Sequence, residues 1–290
     1  AMTEAGKAFN STLDLALVGN CCISALVDGR GRIVWSCFPR FDGDPVFHAL
    51  LGGPTGAPGE GCFEIELLDA ASFSQSYVGN TALVRTVVEG PSGAIEIIDF
   101  APRFIWMQRR FRPQMLVRRV RPLRGSPRIR IKVKPRYEYG RTAPLVAYGS
   151  NHIRYIGSGV SLRLTTDAPI DYVVAETTFI LDEPINLIFG PDETLTSGVS
   201  ETARDFEERT TQYWRDWVHR LAVPLEWQDA VIRAAISLKL CSYEPTGAIV
   251  AAMTTSIPEA AGSARNWDYR FCWIRDAFFV VRALNSLAAV

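Results

Sequence analysis

The stretch CFEIELLD, Cys62–Asp69, decides how most of this chain folds. Phe63, Ile65 and Leu67 alternate with Glu64 and Glu66, which places the apolar side chains on one face of a strand and the acids on the other. The same grammar extends in both directions. Upstream, CCISALVD (Cys21–Asp28) and RIVWSCF (Arg32–Phe38) flank Gly29–Gly31, where Asp28-Gly29 is a hairpin turn signal. Downstream, ALVRTVVE (Ala82–Glu89) and AIEIIDF (Ala94–Phe100) are joined at Gly90–Gly93. QMLVRRVRPL and RIRIKVKP follow, joined by Arg124–Pro127, and HIRYIG, VSLRLTT, YVVAETTFIL and INLIFGP complete a run of strands from Leu13 to about Gly190. Many short strands with Gly/Pro turns and no intervening helix predict an antiparallel β-sandwich over residues 1–195.

Beyond that point the period changes from two to three and four. ETARDFEERTTQYWRDWVHRL sets Phe206, Thr210, Tyr213, Trp217 and Leu221 on one helical face, a linker helix within residues 196–223 that ends at Pro224. A second helix is predicted over 225–242, with Val231, Ala235, Leu238 and Ser242 in register. A third is predicted from about Trp273, with Ile274, Ala277, Phe278, Val281, Leu284 and Ala288 as its apolar stripe. Two apolar helices and a linker cannot enclose a core of their own. An exposed apolar surface is therefore expected, and with it a homo-oligomer.

Between the second and third helices lies RNWDYRFCWIRD, Arg265–Asp276, in which two tryptophans, a tyrosine and a phenylalanine stand among three arginines and two aspartates. Flat rings beside a guanidinium and a carboxylate suit a hydroxyl-rich ligand. A tight helix–loop junction with a buried ion pair would use the same residue types.

The larger block SYEPTGAIVAAMTTSIPEAAGSARNWDYRFCWIRDA, Ser242–Ala277, resembles the opening of the catalytic domain of glycoside hydrolase family 15, which holds glucoamylases, glucodextranases and the bacterial and archaeal trehalases. LVGNCCISALVDGRGRIVWSCFPRFDGDPVF, Leu17–Phe47, resembles the start of its bacterial trehalase-like members. Met253 departs from the pattern, standing where relatives often have proline. The resemblance implies that residues 224–290 begin an (α/α)6 barrel that this chain leaves incomplete, so that the chain is a portion of a longer protein. It implies an inverting hydrolase of α-linked glucosides, with α,α-trehalose as the first substrate and glucoamylase-type maltodextrin hydrolysis next. It also implies that Tyr269, Trp273, Arg275 and Asp276, with Trp267 as a weaker candidate, grip the non-reducing glucose. Such enzymes need two carboxylates roughly 6.5–9.5 Å apart, and both family glutamates lie further along the barrel. No general acid or base is assigned to this chain, and it is expected to be inactive alone. The alternative is a non-catalytic β-sandwich module for domain packing, oligomerisation or weak sugar binding.

Several other classes are set aside. Lys plus Arg and Asp plus Glu number 31 each, so no net charge draws the chain to nucleic acid or an anionic membrane. Arg103–Arg136 carries thirteen basic residues and no acid. However, Arg128, Arg130, Lys132 and Lys134 alternate with Ile129, Ile131 and Val133, as on the solvated face of a strand. Asp42 and Asp44 in FDGDP are too few for calcium, and His48, His152 and His219 have no zinc spacing, so neither metal nor cofactor is expected. Cys21, Cys22, Cys37, Cys62, Cys241 and Cys272 form no framework and read as free, buried thiols of a cytoplasmic protein. The start, AMTEAGKAF, has no apolar leader, Ala1 reads as a cloning remnant, and no apolar run approaches a membrane span.

Overall fold

The structure is a computed structural model that describes residues 14–52, 60–260 and 262–289. The N-terminal stretch read above for a leader lies outside the described residues, as does Leu13. Two large antiparallel sheets hold most of the strand residues. The seven-stranded sheet runs Leu15–Gly19, Ser24–Asp28, Ile33–Cys37, Phe63–Leu67, Arg128–Val133 and Phe179–Ile180 in spatial order, with Pro45–Phe47 paired to Ile33–Cys37. The eight-stranded sheet runs Leu145–Tyr148, His152–Ile156, Ser161–Thr166, Ile185–Pro191, Leu116–Gly125, Gly93–Phe100, Val84–Gly90 and Ser72–Tyr77.

The alternation in CFEIELLD does what it predicts. Phe63, Ile65 and Leu67 are buried, in register with Val133, Ile131 and Ile129 of the neighbouring strand. Glu64 and Glu66 lie on the other face, where Lys132 Nζ reaches them at 3.3 and 2.8 Å. One buried cluster draws on both sheets: Phe63, Ile65 and Ile131 from the first, Ile95, Val120, Leu164 and Phe189 from the second. Across it Arg118, fully buried, forks onto Asp99 at 2.7 and 3.1 Å within its own sheet. The same guanidinium donates to the carbonyl oxygens of Phe63 in the other sheet, at 2.6 Å, and of Gly31, in a turn between two of that sheet's strands. Burying a guanidinium is tolerable here because each nitrogen finds an acceptor.

Two connections differ from their sequence reading. Arg124–Pro127 does not close a hairpin, since Leu116–Gly125 belongs to one sheet and Arg128–Val133 to the other. YVVAETTFIL, predicted as a strand, instead contributes to a short helix, α1 (Ile170–Val174), and then to the two-residue strand Phe179–Ile180. Pro169 supplies an N-terminal residue with no backbone donor to lose, and Ile170 and Val173 bury three residues apart.

Three longer helices follow: α2 (Val199–His219), α3 (Gln228–Leu240) and α4 (Ile274–Ser286). They share a second buried cluster with the sheets, in which Trp35, Ile98, Val117 and Ile188 meet Trp214, Trp217, Ile236 and Leu284. On α2 the predicted face holds, and Trp214 joins it as a fully buried side chain. On α3 the buried residues are Ala235, Ile236 and Leu240 rather than Val231 and Leu238. On α4 only Leu284 is buried, and Ile274, Phe278, Phe279 and Val281 face outward. No helix among the described residues is long and apolar enough to cross a membrane.

Candidate functional site

RNWDYRFCWIRD runs along the surface into the first turn of α4. Two backbone hydrogen bonds pin it to the preceding loop: Tyr269 N to Thr255 O, and Ala251 N to Tyr269 O, both 3.2 Å. That loop is in turn fixed to the sheet. Trp35 Nε1 donates to Thr255 Oγ1 at 3.3 Å, and Ser24 Oγ lies 3.3 Å from Met253 Sδ. Thr255 is buried in a left-handed backbone conformation, φ 50°.

Within the segment the three candidate rings stand against one another, and the two charged candidates pair with each other. The Trp273 ring lies 6.4 Å from Tyr269 and 6.2 Å, edge-on, from Trp267, centroid to centroid. Arg275 Nη2 donates to Asp276 Oδ2 at 3.1 Å, with Arg275 exposed and Asp276 half-buried. The couple is therefore open to a ligand and not sealed in the interior. Asp276 also stands in the first turn of α4, where a carboxylate suits the helix dipole. The Tyr269 hydroxyl donates to Glu259 Oε2 at 3.2 Å.

Asp268 and Arg270 take the other role. Asp268 Oδ1 accepts from Arg270 N, while the Arg270 guanidinium forks onto both carboxylate oxygens, at 3.0 Å from Nε to Oδ1 and 2.6 Å from Nη2 to Oδ2. This hydrogen-bonded fork holds the Asp268 carboxyl below the usual aspartate range. The Asp268 carbonyl accepts the indole N–H of Trp273 at 2.9 Å, so the pair shapes the loop that carries the ring.

The sequence did not point to a second constellation. Glu244, in the YEPTG block, receives Arg103 at 2.5 and 3.2 Å and Arg112 at 3.1 Å, with Arg110 and Lys239 at 3.7 Å. Burial pushes its carboxyl up, but the Arg103 hydrogen bond and the surrounding cations outweigh that and hold it below its ordinary value. Arg103 is buried against Asn20 O and Tyr213. Glu244 is thus the acid that ties the helices to the sheets, which removes it from candidacy as a catalytic group. Among the remaining carboxylates, Asp229 lies in the first turn of α3, and Glu226 is exposed ahead of that helix. A groove of about 660 Å³ lined by Arg110, Arg209, Tyr213, Trp217, Arg220 and Lys239 shares no residue with RNWDYRFCWIRD. Its Arg220 and Lys239 sit at the C-terminal ends of α2 and α3, where cations offset the helix dipoles. Among the described residues no group of three or more His, Cys, Asp or Glu is placed to hold a metal. Among the described residues no disulfide forms, and Cys272, within the candidate segment, is exposed rather than buried.

Comparison with known proteins gives two family matches. Residues 5–214 match the family described as trehalase-like, N-terminal, and residues 227–289 match glycosyl hydrolases family 15. The chain belongs to this trehalase-like family. It is 33% identical to trehalase 1 of Sulfolobus acidocaldarius over 278 residues, 93% of this chain and 45% of that protein. It is 30% identical to the trehalase of Thermoplasma volcanium, over 93% of this chain and 44% of that protein. It is 27% identical to the trehalase of Mycolicibacterium smegmatis, over 96% of this chain and 45% of that protein. The chain spans about half the length of the curated relatives it matches. In this trehalase-like chain the family-15 match begins at Trp227 and includes RNWDYRFCWIRD, while the sheets that hold its loop in place fall in the N-terminal match.

Proposed function

We propose that this chain forms the N-terminal portion of an inverting glycoside hydrolase of α-linked glucosides, with α,α-trehalose as the first substrate and short maltodextrins next. In this reading the two sheets make a β-sandwich over residues 1–195, α2 is a linker within 196–223, and residues 224–290 open an (α/α)6 barrel. Tyr269, Trp273, Arg275 and Asp276, assisted by Trp267, hold one glucose unit. The observation that carries it is the open Arg275–Asp276 couple in the same short segment as the paired Trp273 and Tyr269 rings. The couple offers a donor fork and an acceptor to sugar hydroxyls, and the rings cover an apolar sugar face. Hydrolysis needs a facing pair of carboxylates. Asp268 is committed to Arg270 and Glu244 to Arg103, so this chain alone is expected to bind sugar without cleaving it.

The exposed apolar side of α4 supports the further reading that these helices pack against others, in the same polypeptide or in a second copy of the chain. A non-catalytic packing module is the alternative that this same face favours.

The test is to titrate the purified chain with trehalose and with maltose, following tryptophan fluorescence, and to assay glucose release in parallel. Saturable quenching without glucose release is expected. Glucose release by this chain would overturn the assignment of acid and base to another part of the enzyme. Absence of any saturable response to either sugar would overturn the sugar-binding reading.

A further inference from the structure

The loop between Tyr137 and Thr142 belongs to the sheet-forming part of the chain, yet its tip reaches the sugar-binding segment. Its backbone is unusual. Glu138, Tyr139 and Gly140 are three consecutive residues with positive φ, 52°, 57° and 86°. For Glu138 and Tyr139 this conformation is strained, and it persists only where the surroundings over-determine it. Here they do. Tyr137 and Thr142 bridge through backbone bonds of 2.9 and 3.2 Å, and the Tyr137 hydroxyl is anchored on Tyr155 O at 2.6 Å. Thr142 Oγ1 donates to Glu138 Oε2 at 2.8 Å. Gly140 packs on the buried ring of His48, where a Cβ would fall 2.7 Å from the imidazole.

This scaffolding holds out Tyr139. Its hydroxyl accepts a hydrogen bond from Arg270 Nη1 at 3.1 Å, joining residues 131 apart in sequence. From there a continuous relay runs to the ring wall. Arg270 forks onto Asp268, and the Asp268 carbonyl accepts the indole N–H of Trp273, whose ring stands against Tyr269 and Trp267. Removing the Tyr139 hydroxyl leaves one guanidinium donor of Arg270 without its partner, so that the fork on Asp268 loses its tie to the sheet-forming part of the chain.

We propose that Tyr139 is a positioning residue of the sugar site: through Arg270 and Asp268 it sets the orientation of Trp273, so the sheet portion supplies part of the recognition geometry. The proposal deepens the sugar-binding reading and rests on it for its functional meaning.

Two measurements keep the two ideas separable. The first needs no sugar. In the ¹⁵N-labelled chain, the indole N–H resonance of Trp273, assigned by Trp273→Phe, is compared between the parent and Tyr139→Phe. It is expected to shift and to exchange faster with solvent, while the indole resonances of Trp214 and Trp217 stay in place. In an Arg270→Ala background Tyr139→Phe is expected to have no further effect. An unmoved Trp273 resonance, or additive effects of the two substitutions, would overturn the proposal. The second measurement is trehalose titration, where Tyr139→Phe is expected to bind about tenfold more weakly, the scale of one lost hydrogen bond to a charged group. Equal affinity in parent and variant would also overturn it. Failure of the parent to bind trehalose would sink the functional reading and leave the relay to be decided by the resonance alone.

Discussion

Arg275 and Asp276 meet in water, with Arg275 three-quarters exposed, and a pair of that kind contributes about 0–1 kcal/mol to stability. Arg103 and Glu244 meet out of water, with Arg103 at 2% exposure and a carboxylate that also receives Arg112. Removing one partner of such a pair costs about 3–5 kcal/mol, because the other charge is left buried and alone. If the proposed sugar-binding role holds, the two ion pairs separate function from stability. Arg275→Ala and Asp276→Ala are expected to melt close to the parent and to lose trehalose binding. Glu244→Ala is expected to lose several kcal/mol in urea unfolding, on the scale just given. A large loss of stability in the first two variants would mean that the exposed couple is a structural feature after all. The pH dependence follows from the same residue. Because the folded Glu244 carboxyl titrates below its unfolded value, its stabilisation is present above the ordinary glutamate range and is lost as pH falls through the folded value. Below about pH 4.3 the parent is expected to lose stability faster than Glu244→Gln, measured as unfolding midpoints across an acid series.

At the scale of elements, α4 has the least satisfied surface of the longer helices. Ile274 is 88% exposed and Phe278 and Phe279 more than half exposed, while Leu284 alone is buried. Replacing Phe278 and Phe279 together by serine is expected to leave the unfolding midpoint nearly unchanged, because those rings bury little. It should also reduce self-association in sedimentation velocity. Self-association in the double variant equal to that of the parent would overturn a role for this face in oligomerisation. The elements also show what a sequence can disclose. CFEIELLD was legible because one face meets a shared core and the other meets Lys132, so the alternation had a physical cause on each side. YVVAETTFIL was not, because its β-branched residues satisfy strand propensity while Pro169 and the burial of Ile170 and Val173 draw its start into a helical turn. RNWDYRFCWIRD was legible as a dense local mixture of rings and charges. Tyr139 and Thr255 were not, because their roles depend on contacts with residues distant in sequence and on positive φ at residues other than glycine.

For the whole molecule the question is whether sheets and helices form one cooperative unit. The second buried cluster argues that they do, since Trp35 and Ile98 of the sheets pack with Trp214, Ile236 and Leu284 of the helices. Glu244 adds a polar tie, with Arg103, Arg110 and Arg112 approaching from the Arg103–Arg112 segment and Lys239 from α3. Trp214 is the largest fully buried side chain on the helical side, and its removal is expected to cost about 3–5 kcal/mol. Because that cost falls on contacts between α2 and the sheets, its consequence depends on coupling. With tight coupling, Trp214→Ala lowers a single urea transition, reported alike by far-ultraviolet circular dichroism and by tryptophan fluorescence. If the helices were only loosely appended, the helical signal would unfold first and the two probes would part. Coincident transitions are expected in the parent and the variant alike, because the ion pairs around Glu244 persist when the indole is gone. Divergence already in the parent would refute the claim that the sheets hold the candidate segment RNWDYRFCWIRD in place.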